Sequence, residues 1–187
     1  MKVANGEKRI LQSWQVKQKN TGANFKYEYS YEEIGLLLQK FVTAWRVEIK
    51  KYFLLVLFNF LFSNGDAHLK IFSLLESSKG DYLLSPAYYL ANTRLHVDDT
   101  DFALYKGPFV DDFKSDVFKK SNHVSKADFI ELAKRIGVAT SRIEKLLTPF
   151  LKKQSLVEVL IPCSFLSDTA KWEYMLLYNT KRNYLNA

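Results

Sequence analysis

Residues Ser63-Asn64-Gly65-Asp66-Ala67-His68-Leu69-Lys70-Ile71-Phe72-Ser73 gather a carboxylate, an imidazole, an ammonium, a side-chain amide and two hydroxyls in one short stretch. Side chains of these types can move protons and stabilise developing negative charge. An Asn-Gly-Asp triplet by itself is an ordinary turn. Turn chemistry does not explain Asn64, His68, Lys70 and Ser73 together with it. A second short motif, Ser85-Pro86-Ala87-Tyr88-Tyr89-Leu90, lies a little further on. The remaining candidate groups carry less. His96 and His123 have no partner at zinc-ligand spacing. Asp98, Asp99 and Asp101 lack the glycine and the distal glutamate of a calcium loop, so they read as a solvated acidic loop.

The elements around this stretch follow from periodicity. Ser30 with Glu33 has capping-box spacing, and Ile34, Leu37, Leu38 and Phe41 follow at helical intervals, predicting a helix from Tyr31 to Val42. Thr43 is positioned to cap a second helix from Ala44 to Phe62. The second half of that helix, from Tyr52 to Phe62, is apolar nearly all round and should form the centre of the core. Ser63-Asn64-Gly65 ends it. Ile71–Leu75 and Tyr82–Leu84 then read as a β-hairpin with a polar tip, and Pro86 bars a longer second strand. Residues 87–124 read as irregular. Three helices close the chain: one opened by Ser125 and Asp128 and ended by Gly137, one opened by Thr140 and crossed by Pro149, and one opened by Ser167 and Asp168. The last carries Trp172, Met175, Leu176 and Leu177 as its apolar set. The chemistry-bearing loop therefore joins a buried helix to a hairpin.

That arrangement, with its residues, resembles the C-terminal lobe of HipA-type serine/threonine kinases. The family carries Asn-x-Asp-x-His-x-Lys-Asn-x-Ser in its loop and Pro-x-Tyr-Asp-Leu after the hairpin. This sequence has Asn64, Asp66, His68, Lys70 and Ser73, then Pro86, Tyr88 and Leu90. The stretch from Asn92 to Asp101 and the helical tail are also similar, and the resemblance covers roughly residues 25–187. It implies a mainly α fold with one small β-hairpin, the C-terminal lobe of a protein-kinase-like fold, over residues 29–187, behind a polar lead-in of residues 1–28. It implies Asp66 as catalytic base and Lys70 beside the transferred phosphoryl group, with Asn64, His68 and Ser73 supporting the loop. ATP and Mg²⁺ are the implied cofactors. Implied partners are a helix-turn-helix antitoxin, through which DNA is reached indirectly, or a separate N-lobe chain.

Two positions depart from the family pattern, and both concern the metal. The family's loop asparagine is Ile71 here, and its aspartate after the hairpin is Tyr89. Neither isoleucine nor a neutral phenol suits a hard cation. Residues 1–24 also show no glycine-rich phosphate loop followed by a strand. A degenerate kinase lobe that is inactive by itself is therefore expected, with a non-catalytic module binding an antitoxin-like or acidic partner as the alternative.

Composition agrees with a folded cytoplasmic protein. The chain has 187 residues, 48% hydrophobic and 15% aromatic, with 7 Gly and 4 Pro, and these argue for one domain of long helices rather than disorder or a many-turned β fold. The net charge of +7 suits an acidic partner or phosphates, but no basic run of nucleic-acid type occurs. Cys163, the one cysteine, excludes an internal disulfide; after Pro162 in an apolar stretch it reads as a packed thiol. No signal-peptide pattern follows Met1, and the apolar run is too short to span a bilayer.

Overall fold

The computed structural model describes residues 23–187. Most of the lead-in expected over residues 1–28 lies outside the described residues. Helix α1 (Tyr31–Phe41) begins with a complete capping box: the Glu33 N–H donates to the Ser30 hydroxyl at 3.1 Å, and the Ser30 N–H donates to the Glu33 carboxylate at 2.7 Å. It buries Tyr31, Ile34 and Leu38 against helix α2 (Trp45–Leu61).

Helix α2 is the central element. Tyr52, Phe53, Val56, Leu57, Phe60 and Leu61 are all essentially inaccessible, and α1, α5 and α7 pack around them. Each such side chain stabilises the fold by ~1.5–3 kcal/mol on burial. Thr43 does not cap this helix. Ala44 holds the cap position without a side-chain bond, and the Thr43 hydroxyl instead donates to Asp81 at 3.0 Å. The tip of the hairpin thus competes successfully for that hydroxyl.

Strands β1 (Leu74–Glu76) and β2 (Tyr82–Leu84) pair antiparallel with Leu74 opposite Leu84. The first strand is shorter than the expected Ile71–Leu75, because Leu69–Ile71 curl into a 3-10 turn capped by His68. Glu48, buried in α2, accepts the Leu84 N–H at 3.0 Å and the Lys51 ammonium at 2.7 Å, which fixes the hairpin to the central helix.

The segment expected to be irregular, 87–124, contains a 3-10 turn at Thr93–Leu95 and helix α3 (Asp116–Ser121), whose Ser115 cap accepts the Phe118 N–H. Helices α4 (Lys126–Arg135) and α5 (Thr140–Leu151) follow, with Gly137 between them at φ 77°. Helix α6 (Ser155–Leu160), absent from the sequence reading, precedes α7 (Asp168–Leu185). The buried face of α7 is also not the expected one. Trp172 and Leu176 are exposed, and Tyr178, Lys181 and Leu185 are buried instead. Cys163 is exposed rather than packed.

A candidate phosphotransfer loop

The loop starts from the way α2 ends. Ser63 adopts φ 55°, and the Asn64 N–H reaches back to the Asn59 carbonyl at 2.9 Å while the Ser63 N–H reaches Phe60 at 3.2 Å. This is a Schellman motif with serine where glycine is usual. A left-handed non-glycine residue costs roughly 1–2 kcal/mol. The strain is held by the neighbouring side chain. The Asn64 amide donates to Asn59 Oδ1 at 2.8 Å and to the Tyr89 carbonyl at 3.0 Å, and Tyr89 is itself left-handed at φ 59°. Asn64 therefore ties the loop to the second motif through two strained residues, the pattern found where a functional geometry is enforced.

Gly65 is required by close approach. A Cβ there would sit 2.3 Å from the Asp99 Cβ and 2.7 Å from the Thr100 carbonyl, and the Gly65 N–H donates to Thr93 Oγ1 at 2.8 Å. The 93–100 segment thus closes over the loop. It is not simply a solvated acidic stretch: Asp98 is exposed, but Asp101 pairs with Arg94 and with the buried Lys181 of α7. Burial lowers the pKa of Lys181, against the pull of Asp101. From below, the Tyr31 hydroxyl donates to the Ala67 carbonyl at 2.9 Å, and the Tyr52 hydroxyl supports the Tyr31 carbonyl at 2.8 Å.

Asp66 sits partly exposed at the top of this construction. The Tyr27 hydroxyl donates to its Oδ1 at 3.0 Å, the Lys26 ammonium lies 3.8 Å from the same oxygen, and His68 Nε2 lies 3.9 Å from Oδ2. The other His68 nitrogen, Nδ1, accepts the Lys70 N–H at 3.2 Å and so caps the 3-10 turn. Burial, opposed by the Asp66 carboxylate and reinforced by Lys26 and Lys70, holds the His68 imidazole below its ordinary pKa. Lys26 is held above its ordinary value, first by the Tyr27 hydroxyl and, against desolvation, by Asp66. Lys70 projects into solvent, while its carbonyl accepts from the Tyr88 hydroxyl at 2.9 Å. Ser73 lies at the far end, its hydroxyl 2.6 Å from that of Tyr88.

The structure thus brings His68 within 3.9 Å of Asp66, while Asn64 turns its amide to Asn59 and Tyr89 and Ser73 meets Tyr88. The two substituted family positions lie apart in character. The Ile71 side chain belongs to the core, while the Tyr89 side chain is exposed and only its carbonyl engages the loop. Neither provides an oxygen suited to Mg²⁺. Among the described residues no group of three or more His, Cys, Asp or Glu could hold a metal. Sequence reasoning missed Lys26 and Tyr27, which fell in a segment read as lead-in. Nothing in their local pattern announces a contact with a residue 39 positions away.

Comparison with known proteins agrees with this architecture. The fold is mainly α with one small antiparallel hairpin, and it matches that of HipA in the Shewanella oneidensis MR-1 toxin–antitoxin complex of HipA, HipB and operator DNA. The two share a TM-score of 0.62 and 18% identity, over 89% of this chain and 39% of that one. The chain therefore spans about two fifths of that relative. The HipA-like C-terminal domain model matches residues 9–155, and the chain belongs to that family. No curated protein matches it.

Proposed function

We propose that this chain is a kinase-like lobe of the serine/threonine-protein kinase toxin kind that keeps a phosphotransfer loop and has lost its grip on magnesium. One observation carries the reading: Asp66 is presented on a strained loop tied down through Asn64 and Gly65, while position 71 is sunk in the core and position 89 offers a phenol. Phosphoryl transfer depends on positioning and on charge neutralisation by metal. Removing one such electrostatic contact typically lowers rate by about 10²–10³. The lobe is therefore inactive by itself. Its partners are an antitoxin-like helix-turn-helix protein or a separate N-lobe chain, with DNA reached only through the former. The HipA relative's assembly with HipB and operator DNA supports that class of partner. The test is calorimetric titration of ATP into the chain with magnesium and with chelator. Magnesium should add no affinity, and tight magnesium-dependent binding would end this reading.

A second reading, a non-catalytic module for an antitoxin-like or acidic partner, is favoured by one feature. An apolar groove of about 440 Å³ runs between α2, α5, α6 and α7, lined by Phe58, Leu90, Phe150, Leu160 and Tyr174. Leu156 lines it too, and both it and Leu160 are exposed. Leu160→Asp should then abolish capture of such a partner while leaving the ATP titration unchanged.

A further inference from the structure

The turn Ala23–Tyr27 is not a loose strand of chain draped near the loop. Phe25 is buried in the core, and the Tyr27 carbonyl accepts the Tyr105 N–H at 2.8 Å. The Lys26 ammonium lies beside Asp66, 3.8 Å from Oδ1. A divalent cation brought to the same carboxylate would meet a positive charge already there, and like charges a few ångströms apart repel strongly. Lys70 offers a second ammonium on the same loop, exposed to solvent. The ammonium groups of Lys26 and Lys70 outnumber the one carboxylate of Asp66.

Resting on the kinase-like reading above, we infer that the Lys26 ammonium stands in for the missing divalent ion and, with Lys70, forms a metal-independent site for a diphosphate or polyphosphate group. An ammonium is a compact point charge with three donors, able to neutralise phosphate oxygens without a coordination shell. Asp66 opposes such a ligand by like charge and by holding part of the Lys26 charge to itself. Removing its charge should therefore strengthen binding rather than weaken it.

Titration of inorganic pyrophosphate, and of ATP in parallel, into the whole chain tests this. Affinity in EDTA should match or exceed that in magnesium, since magnesium neutralises part of the phosphate charge that the lysines would meet. Lys26→Met and Lys70→Met should each weaken it about tenfold, the loss of roughly one charge-assisted hydrogen bond. Lys26→Arg should retain binding, Asp66→Asn should tighten it severalfold, and Lys119→Met on α3 should leave it unchanged. Thermal melts that match the parent chain verify that each variant is folded. No binding in either buffer, or equal binding by Lys26→Met, overturns the site and leaves the kinase-like reading standing. Binding that requires magnesium overturns both.

Discussion

Two buried polar clusters in this chain are built on opposite principles. At the mouth of α4, Asp128 accepts the N–H and the hydroxyl of Ser115 at 3.0 and 2.9 Å, and the N–H and the hydroxyl of Ser125 at 2.9 and 2.8 Å. Its carboxylate is saturated by four donors, and it joins the caps of two helices. Around the loop that carries Asn64 and Asp66 the reverse holds. Asn59 Nδ2, Ser63 Oγ, Asn64 Oδ1, Asp99 Oδ2 and both polar atoms of Asn92 are buried without a hydrogen-bond partner among the described residues. Two of the three left-handed non-glycine residues among those described, Ser63 and Tyr89, lie there as well. A saturated cluster adds stability and specifies packing. An open, strained one forgoes stability, and such sites are where proteins keep function.

The contrast predicts a steep gradient in mutational cost. Asp128→Ala should be the most damaging, because four donors lose their acceptor in a site 2% exposed. A loss of about 3–5 kcal/mol is expected in denaturant melts, and a loss below about 1 kcal/mol would break the comparison. Gly65→Ala should follow at about 1–3 kcal/mol, since the new methyl meets Asp99 and backbone of Thr100 rather than a flexible side-chain end. Gly80→Ala in the hairpin turn meets nothing within 4 Å and carries only the strain of its φ of 80°, so it should cost less. Tyr27→Phe removes a single part-buried hydrogen bond to Asp66 and should cost about 1 kcal/mol in the same melts. Asn92→Ala should cost least, under about 1 kcal/mol, because its side chain has no protein partner to lose. If Asn92→Ala rivals Asp128→Ala, the open cluster is satisfied in solution by ordered water, and the two clusters differ less than their geometry suggests.

The loop should also show itself in the pH dependence of stability. The folded-state pKa of His68 lies below its ordinary 6.5, through burial first, with Lys26 and Lys70 adding to it and Asp66 opposing. Below that ordinary value the unfolded chain binds more protons than the folded one. Stability should therefore fall as pH drops through 6.5 towards the folded pKa and should be flat above it. Denaturant midpoints across this range measure the slope, and His68→Asn should remove the part due to this residue. A slope unchanged by that substitution would place the titration elsewhere.

Several features were legible in the sequence because they are local. The capping box at Ser30, the apolar second half of α2, the stop at Ser63 and the hairpin signal between Leu74 and Leu84 depend on neighbours a few residues apart. The spaced Asn64, Asp66, His68, Lys70 and Ser73 were legible for the same reason, as were the two substituted positions. Other features were decided only by the tertiary structure. Thr43 turned to the hairpin tip, Asp101 found Lys181 on the last helix, and α7 buried Tyr178 and Lys181 instead of Trp172 and Leu176. Lys26 and Tyr27 reached Asp66 across some forty residues of chain. Hydrophobic periodicity specifies that a face will be buried, but which groups meet across it depends on how the elements pack. That packing is set by the sum of contacts over the whole core and is not written in any short stretch.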